Sequence, residues 1–348
     1  MTISYDDSHI FKLIARLDQR IPIGEIFSGL NLIIITSAGS QDQILHHIEQ
    51  SNIIQYNAYY VQLFLKRFIS LIEKQNEEVA ENIYELFCSP EVLSSKELDP
   101  TVADVLQYPL DGFDAKQRST SIIIKETPRL ISGINTTGLR TWEAALFLSN
   151  YLNDKSLCQY DFKNKTILEL GAGTGLLSLS LLKTREDLSR IILTDGSLAV
   201  FDNFENTLKL NGMSHSDKFK CQQLLWGTTN EQEPETFNQL PPSSIDMLVA
   251  SDVTYDSRLH DLLCSTIHDF FSHSNTKIAI IAATVRNDTS NNLWEDKLNK
   301  WFGSDDSRQW SIKYKHGNPE EIDSMIRFRK GTPEIRIYEI TNNYSLKN

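Results

Sequence analysis

The sequence lacks paired cysteines, long apolar runs and a surplus of positive charge. Its four cysteines are widely spaced along 348 residues, so we expect reduced thiols rather than a disulfide framework or a metal site. No apolar run approaches the roughly 18 residues that span a bilayer, and the opening MTISYDDSHI does not resemble a signal peptide. We therefore expect a soluble, cytoplasmic protein without a membrane segment or a bound metal.

The net charge of −12 disfavours direct binding to the phosphates of a nucleic acid. Residues 1–115 contain seven Lys or Arg and 17 Asp or Glu, so this third of the chain has a balance of −10. Such a region either steers a basic protein partner or forms a solvated acidic surface. The sequence leaves both interpretations open, and it leaves oligomeric state open too, with a monomer as the expectation.

Glycine and proline are absent from Gln55 to Phe87, and apolar residues recur there at helical spacing, at Val61, Leu65, Phe68 and Ile72. This pattern predicts a buried stripe within a helical N-terminal region over residues 1–115, which is a candidate for substrate docking. The pairs DP, YP and DG cluster at its end and predict a domain boundary. Residues 116–348 are then expected to form the second domain.

After Lys165, short apolar runs alternate with helical stretches. The predicted strands are Thr166–Leu170, Arg190–Asp195, Phe219–Leu225, Ile245–Ser251, Lys277–Thr284, Gln309–Lys315 and Glu334–Ile340. The clearest predicted helices are Leu176–Lys183, Ser197–Asn211, Arg258–Phe271 and Asn291–Phe302. The alternation predicts an α/β fold with a seven-stranded, mostly parallel sheet covered on both faces. No helical pattern separates the last two strands, so the final strand is expected to be antiparallel.

The stretch ELGAGTG, Glu169–Gly175, links the first of these strands to the following helix. It lacks the Gly-Lys-Ser/Thr of a P-loop, and Leu176 stands where a dinucleotide fingerprint has its third glycine. Asp195 ends the second strand, where a carboxylate accepts the hydroxyls of a ribose. Together these features favour S-adenosylmethionine (AdoMet), whose methionine portion needs glycine because a side chain would collide with it. For Gly175, ligand contact and tight packing both stay open.

Four motifs resemble those of seven-β-strand class I methyltransferases and, more narrowly, the protein-lysine methyltransferases of family 16. In order they are TGLRTWEAA at Thr137–Ala145, ELGAGTG, LLWG with Trp226, and DVTY at Asp252–Tyr255. The stretch ATVRN at Ala283–Asn287 and the helical N-terminal extension are similar to the members that act on elongation factor 2. The resemblance implies an AdoMet-dependent enzyme that methylates a lysine of this translation factor.

The resemblance also implies which residues contact the cofactor, namely Trp142, Gly171, Ala172, Gly173, Asp195, Trp226 and Ser251. We expect Asp252 and Tyr255 to be catalytic, because a carboxylate and a phenol can orient a neutral lysine amine for in-line attack. DVTY in place of N-P-P-Y weighs against methylation of amides or adenine. Structural alternatives remain: a helix N-cap for Asp252, and core packing for Tyr255 and the two tryptophans.

Other functions also stay open. The chain could methylate a lysine of a chaperone or another translation factor, methylate a small molecule, or serve as a non-catalytic adaptor that retains the fold. Arg286 and Asn287 either contact the substrate near the mouth of the active site or cap the following helix.

Overall fold

The computed structural model describes residues 5–113, 120–133, 136–214, 216–227, 244–303 and 308–343. The chain forms two compact units, one of Met1–Leu130 with Glu320–Lys330 and one of Ile131–Pro319 with Gly331–Asn348. The boundary predicted between residues 115 and 116 lies outside the described residues. A membrane crossing would need a longer and more apolar helix than any in the described part of the chain.

The first unit contains six helices and a β-hairpin among its described residues. The helices are α1 Tyr5–Asp18, α2 Leu32–Thr36, α3 Ala38–Gln50, α4 Ile53–Lys74, α5 Glu81–Cys88 and α6 Pro90–Leu93, and the antiparallel strands are β1 Asp104–Pro109 and β2 Ser121–Glu126. Because turn-forming pairs dominate residues 99–112, the sequence predicted a boundary there and not a strand. Pro109 stands at the last position of β1, where a missing N–H is tolerated.

The predicted apolar stripe of α4 lies in the core of this unit. Val61, Leu65, Phe68 and Ile72 are all buried. Phe64 and Phe68 stack with centroids 5.3 Å apart, and Phe27 stacks on both. The helical prediction for this stretch is therefore confirmed, with a local break at Asn57, whose backbone angles are not helical.

A short segment from near the C-terminus belongs to the first unit. Met325, Ile326 and Phe328 are buried. Gln19 donates to the carbonyl of Met325 and accepts from the amide of Arg327, at 3.0 and 3.1 Å. The first unit is therefore built from two stretches of sequence that are about 200 residues apart. A single boundary along the chain could not have separated the two units.

The second unit contains the seven-stranded sheet. Its strands are β3 Thr166–Leu170, β4 Arg190–Asp195, β5 Phe219–Gln223, β6 Met247–Ser251, β7 Ile278–Thr284, β8 Arg308–His316 and β9 Ile335–Asn342. Its described helices are α7 Glu143–Asn153, α8 Leu176–Thr184, α9 Phe204–Leu210, α10 His260–His273 and α11 Asp288–Phe302. The strand bounds agree with the prediction to within two residues, and the predicted α/β class is confirmed.

The strand order across the sheet is β5-β4-β3-β6-β7-β9-β8. The first five strands in this order are parallel, whereas β9 runs antiparallel to both β7 and β8, as the missing helix predicted. Every residue of β3 and β6 is buried, as expected for strands covered on both faces. The order reverses between β3 and β6, and open α/β sheets bind ligands beside such a switch point.

Gly175 shows why the turn between β3 and α8 needs glycine at its end. A Cβ atom at this position would lie 2.4 Å from the ring of Phe204 and 2.8 Å from Leu193, and φ is +73°. Packing thus explains Gly175, which does not line the pocket described below.

We predict that Gly175→Ala destabilises the protein far more than Gly212→Ala. Gly212 has a similar φ of +68° but open space around it, so alanine there adds only backbone strain of about 1 kcal/mol. At Gly175 the collision with Phe204 adds about 1–3 kcal/mol to that strain. Urea unfolding of both variants tests the difference, and equal losses would contradict the packing explanation.

Candidate functional site

A cavity of about 620 Å³ lies at the carboxyl ends of β3, β4 and β6, a volume typical of a small-molecule site. All nine predicted site residues line it: Trp142, Gly171, Ala172, Gly173, Asp195, Trp226, Ser251, Asp252 and Tyr255. Eight of them stand at or after the ends of parallel strands, which meet at one edge of the sheet, and Trp142 comes from the segment before α7.

The glycine turn forms the floor of this cavity, and Asp195 is bonded to it. The amide of Gly173 donates to Asp195 Oδ2 at 3.0 Å, and the amide of Ser197 donates to Oδ1 at 2.9 Å. Burial raises the pKa of Asp195 above its ordinary value, although these backbone hydrogen bonds oppose the shift. Asp195 therefore stands at the cavity edge with its carboxylate oriented by the turn.

The segment from Thr136 to Trp142 packs directly on the turn. A Cβ atom on Gly138 would lie 2.9 Å from the Cα atom of Gly173, and the hydroxyls of Thr141 and Thr174 are 2.9 Å apart. Backbone contact of this kind is possible only between glycines. Packing against the turn therefore explains the glycine of the TGLRTWEAA motif in this chain.

Trp226 closes another side of the cavity. A Cβ atom on Gly171 would lie 3.1 Å from the Trp226 ring and 2.8 Å from Val253. The ring also packs partly against the buried cluster of the sheet, so ligand contact and core packing are not exclusive for this residue. Strand β5 ends at Gln223, so Trp226 lies in the turn after the strand and not at its end.

Glu169 supports the turn from below. It is fully buried, and its Oε2 accepts from the backbone N–H of Ser178 at 3.0 Å and from the Ser178 hydroxyl. Gly175, the N-cap residue of α8, has no side chain to offer, so the carboxyl group of Glu169 in β3 accepts the capping N–H instead. Burial raises the pKa of Glu169 to about 8, despite the two opposing hydrogen bonds from Ser178.

Asp252 has an unusual backbone and a fully engaged carboxylate. Its φ of 53° lies in the left-handed region, which is strained for a residue with a side chain. Its Oδ1 accepts from the amide of Thr284 at 3.1 Å and from Arg286 at 2.9 Å, and its Oδ2 accepts from the Thr284 hydroxyl and from Arg286, both at 3.0 Å. These four bonds use the four lone-pair positions of a carboxylate.

Arg286 joins this carboxylate to the TGLRTWEAA motif. Its guanidinium lies 5.0 Å from the Trp142 ring centroid and 3.7 Å from Glu143 Oε2. Burial lowers the pKa of Arg286, but hydrogen bonds and charge from Asp252 outweigh that effect and leave the pKa above its ordinary value. The Trp142 indole N–H donates to the carbonyl of Thr137 at 2.9 Å, which fixes the ring.

The structure also decides several alternatives that the sequence left open. Asp256, not Asp252, accepts the capping N–H of the following 3₁₀ turn. Tyr255 is 53% exposed, so it is no core aromatic, and its hydroxyl accepts from Thr137 at 3.3 Å. Asn287 caps α11 through a 2.7 Å bond from Ser290.

The sequence patterns did not single out Arg140, which lines the cavity, or Thr284 and Glu143, which contact Asp252 and Arg286. Arg140 lies inside TGLRTWEAA, and Thr284 lies inside ATVRN. Glu143 is the glutamate of the first motif. The motifs therefore contained the signal, but only the fold shows that these side chains meet.

Comparison with known proteins identifies the family. A family model described as lysine methyltransferase matches residues 118–300. The chain belongs to the lysine methyltransferase family. Among the relatives of this lysine methyltransferase, protein-lysine N-methyltransferase EFM3 of Saccharomyces cerevisiae is 30% identical and covers 94% of this chain and 97% of its own. EFM3 of Chaetomium thermophilum is 36% identical over 52% of each chain. Human EEF2KMT, a protein-lysine N-methyltransferase, is 26% identical over 74% of this chain and 73% of its own.

The lysine methyltransferase is thus an AdoMet-dependent enzyme with a protein substrate. The residues at the strand ends fit this cofactor. The turn leaves no room for a Cβ at Gly171, Asp195 offers a carboxylate to a ribose, and the guanidinium of Arg140 has a buried donor without a partner among the described residues.

We predict that Glu169→Gln reduces the dependence of stability on pH. The pKa of Glu169 is about 8 in the folded protein, against an ordinary value of 4.5. The stability that this shift contributes is fully present below about pH 4.5 and is lost as the pH rises through about 8. Between about pH 6 and pH 9 the wild type should lose about 2–3 kcal/mol more than the neutral variant. Thermal unfolding measures this, and parallel pH profiles would refute it.

Proposed function

We propose that this enzyme methylates a lysine of translation elongation factor 2. Two observations support the proposal. The name of the human relative, EEF2KMT, points to that substrate, and the match to EFM3 extends over 94% of this chain, well beyond residues 118–300 of the family model. The acidic N-terminal region is included in that match, and we propose that it docks the substrate. A translation factor as substrate also agrees with the predicted cytoplasmic location.

We propose that the cofactor lies along the cavity from Asp195 to Asp252. Asp195 accepts from the ribose hydroxyls, and Trp226 and Ser251 border the adenosine. The backbone from Gly171 to Gly173 lies against the methionine portion, with Trp142 above it. The reactive methyl then faces the cavity mouth between Asp252 and Tyr255, where a lysine side chain enters.

The bound cofactor supplies an electrophilic methyl group on a sulfonium. The lysine amine must arrive neutral, although free lysine has a pKa near 10.4. A pocket wall with net negative charge would raise that pKa and hold the ammonium form. The Asp252 carboxylate is paired with the Arg286 guanidinium, so this wall carries little net charge. It therefore stabilises the ammonium form of the lysine less than an unpaired carboxylate would.

Asp252 thus acts by holding the backbone at the end of β6 in position and not as a strong base. Its four hydrogen bonds hold the strained backbone at the end of β6, and this backbone presents Val253 and Tyr255 to the cavity. The Tyr255 hydroxyl, held by Thr137 at 3.3 Å, is placed to contact the amine. Positioning of the amine in line with the methyl is the main catalytic contribution.

We predict that Asp252→Asn lowers kcat by about 10- to 100-fold, because misplacement near the reacting atoms costs rate, while AdoMet affinity changes less than about threefold. Loss of the carboxylate breaks the paired bonds to Arg286 and releases the strained turn. Asp256→Asn is the matched control, since Asp256 also pairs with an arginine, Arg258, but does not line the cavity. Equal effects of both substitutions on kcat would contradict the assignment.

The substrate is tested with purified elongation factor 2, labelled AdoMet and mass spectrometry of the product. We expect one lysine to gain methyl groups, and we expect Asp195→Ala, which lacks the proposed ribose acceptor, to transfer none. A labelled lysate from a deletion strain is the second arm, because only the true substrate is undermethylated there. Labelling of a different protein, with elongation factor 2 unmodified, would overturn the proposed substrate and leave the enzyme class intact.

A further inference from the structure

Arg140 lies where the TGLRTWEAA segment packs on the glycine turn. Its neighbour Thr141 contacts Thr174 of the turn at 2.9 Å, and Gly138 contacts Gly173. Arg140 itself lines the same cavity as Gly171, Ala172 and Gly173. Arg140 therefore belongs to the cavity wall near the part of the turn that is expected to receive the methionine portion of the cofactor.

The Arg140 side chain is held in place before any ligand binds. Its guanidinium lies over the Trp142 ring at 4.3 Å from the centroid, and Nη2 lies 3.4 Å from Glu143 Oε1. Only 13% of the side chain is exposed. An ordered guanidinium loses little further entropy when it binds an anion, and its planar fork matches the two oxygens of a carboxylate.

The described residues engage the donors of Arg140 only in part. Its Nε is buried without a hydrogen-bond partner there, and the bond to Glu143 is long. Glu143 is shared, because its other oxygen lies 3.7 Å from Arg286. Because an N–H without an acceptor is unfavourable and Arg140 lines the cavity, its weakly engaged guanidinium is free to turn toward an anionic group there.

We propose that Arg140 binds the α-carboxylate of the methionine portion of AdoMet. The proposal rests on the cofactor pose given above. The α-carboxylate is the only anionic group of AdoMet, and Asp195 at the opposite end of the cavity would repel it. Arg140 is then a cofactor-binding residue that acts through a charge-assisted, two-point hydrogen bond. It also fixes the direction of the methionine chain, with the sulfonium toward Asp252.

Calorimetry with S-adenosylhomocysteine and its decarboxylated analogue, S-adenosyl-3-thiopropylamine, tests the proposal. The two ligands differ only in the carboxylate. We expect Arg140→Gln to weaken binding of S-adenosylhomocysteine by about 10- to 100-fold, the range for one charge-assisted contact, and to change binding of the analogue less than about threefold. Arg140→Lys keeps the charge but not the fork, so its effect on S-adenosylhomocysteine should be intermediate.

Arg185→Gln is the matched control. Arg185 also lies over an aromatic ring, 4.8 Å from the centroid of Phe162, but does not line the cavity. Its substitution should leave both affinities unchanged, and melting temperatures report whether each variant is folded.

Three results would overturn the proposal. Equal weakening of both ligands by Arg140→Gln would mean that Arg140 only supports Trp142. Unchanged affinity for S-adenosylhomocysteine with a raised KM for the protein substrate would place Arg140 at the substrate instead. If the wild type binds neither ligand in this cavity, the cofactor pose itself fails. This outcome is distinct from the first two, in which the wild type still binds S-adenosylhomocysteine.

Discussion

The close approach of two glycine backbones is the constraint on which the site depends. Gly138 and Gly173 touch because neither has a Cβ atom, and this contact brings the segment before α7 onto the turn after β3. The same segment carries Thr137, Arg140 and Trp142, which line the cavity. A larger residue at either position would separate the two walls of the cavity, whatever the chemistry of the other side chains.

Charge pairing is the second organising feature. Two arginines and two carboxylates, Arg140, Arg286, Glu143 and Asp252, lie around Trp142 and balance one another. A wall without net charge suits a reaction that needs the neutral amine. A wall with net negative charge would stabilise the ammonium form and raise the pKa of the lysine. The strained backbone of Asp252 persists because four hydrogen bonds hold its side chain, so strain and charge are coupled at one residue.

Much of the second unit could be predicted from the sequence, and less of the first. The strands of the sheet alternate with helices at regular intervals, and apolar runs bounded by polar turns mark their ends to within two residues. The hairpin of β1 and β2 was missed because Pro109 and its neighbouring turn residues hide the strand pattern. The buried segment around Met325 to Phe328 was missed because its partners lie some 300 residues earlier, beyond the reach of any local pattern.

The sequence by itself determined nine of the residues that gather at the cavity, most of them because side chains at the carboxyl ends of parallel strands converge at one edge of the sheet. Local motifs marked all nine of them. Only the tertiary structure decided what those residues do to one another. Asp252 meets Arg286 across 34 positions, and Arg286 meets Glu143 across 143. Hydrogen bonds and ion pairs depend on distances of a few ångströms between side chains, and such distances exist only after the chain has folded.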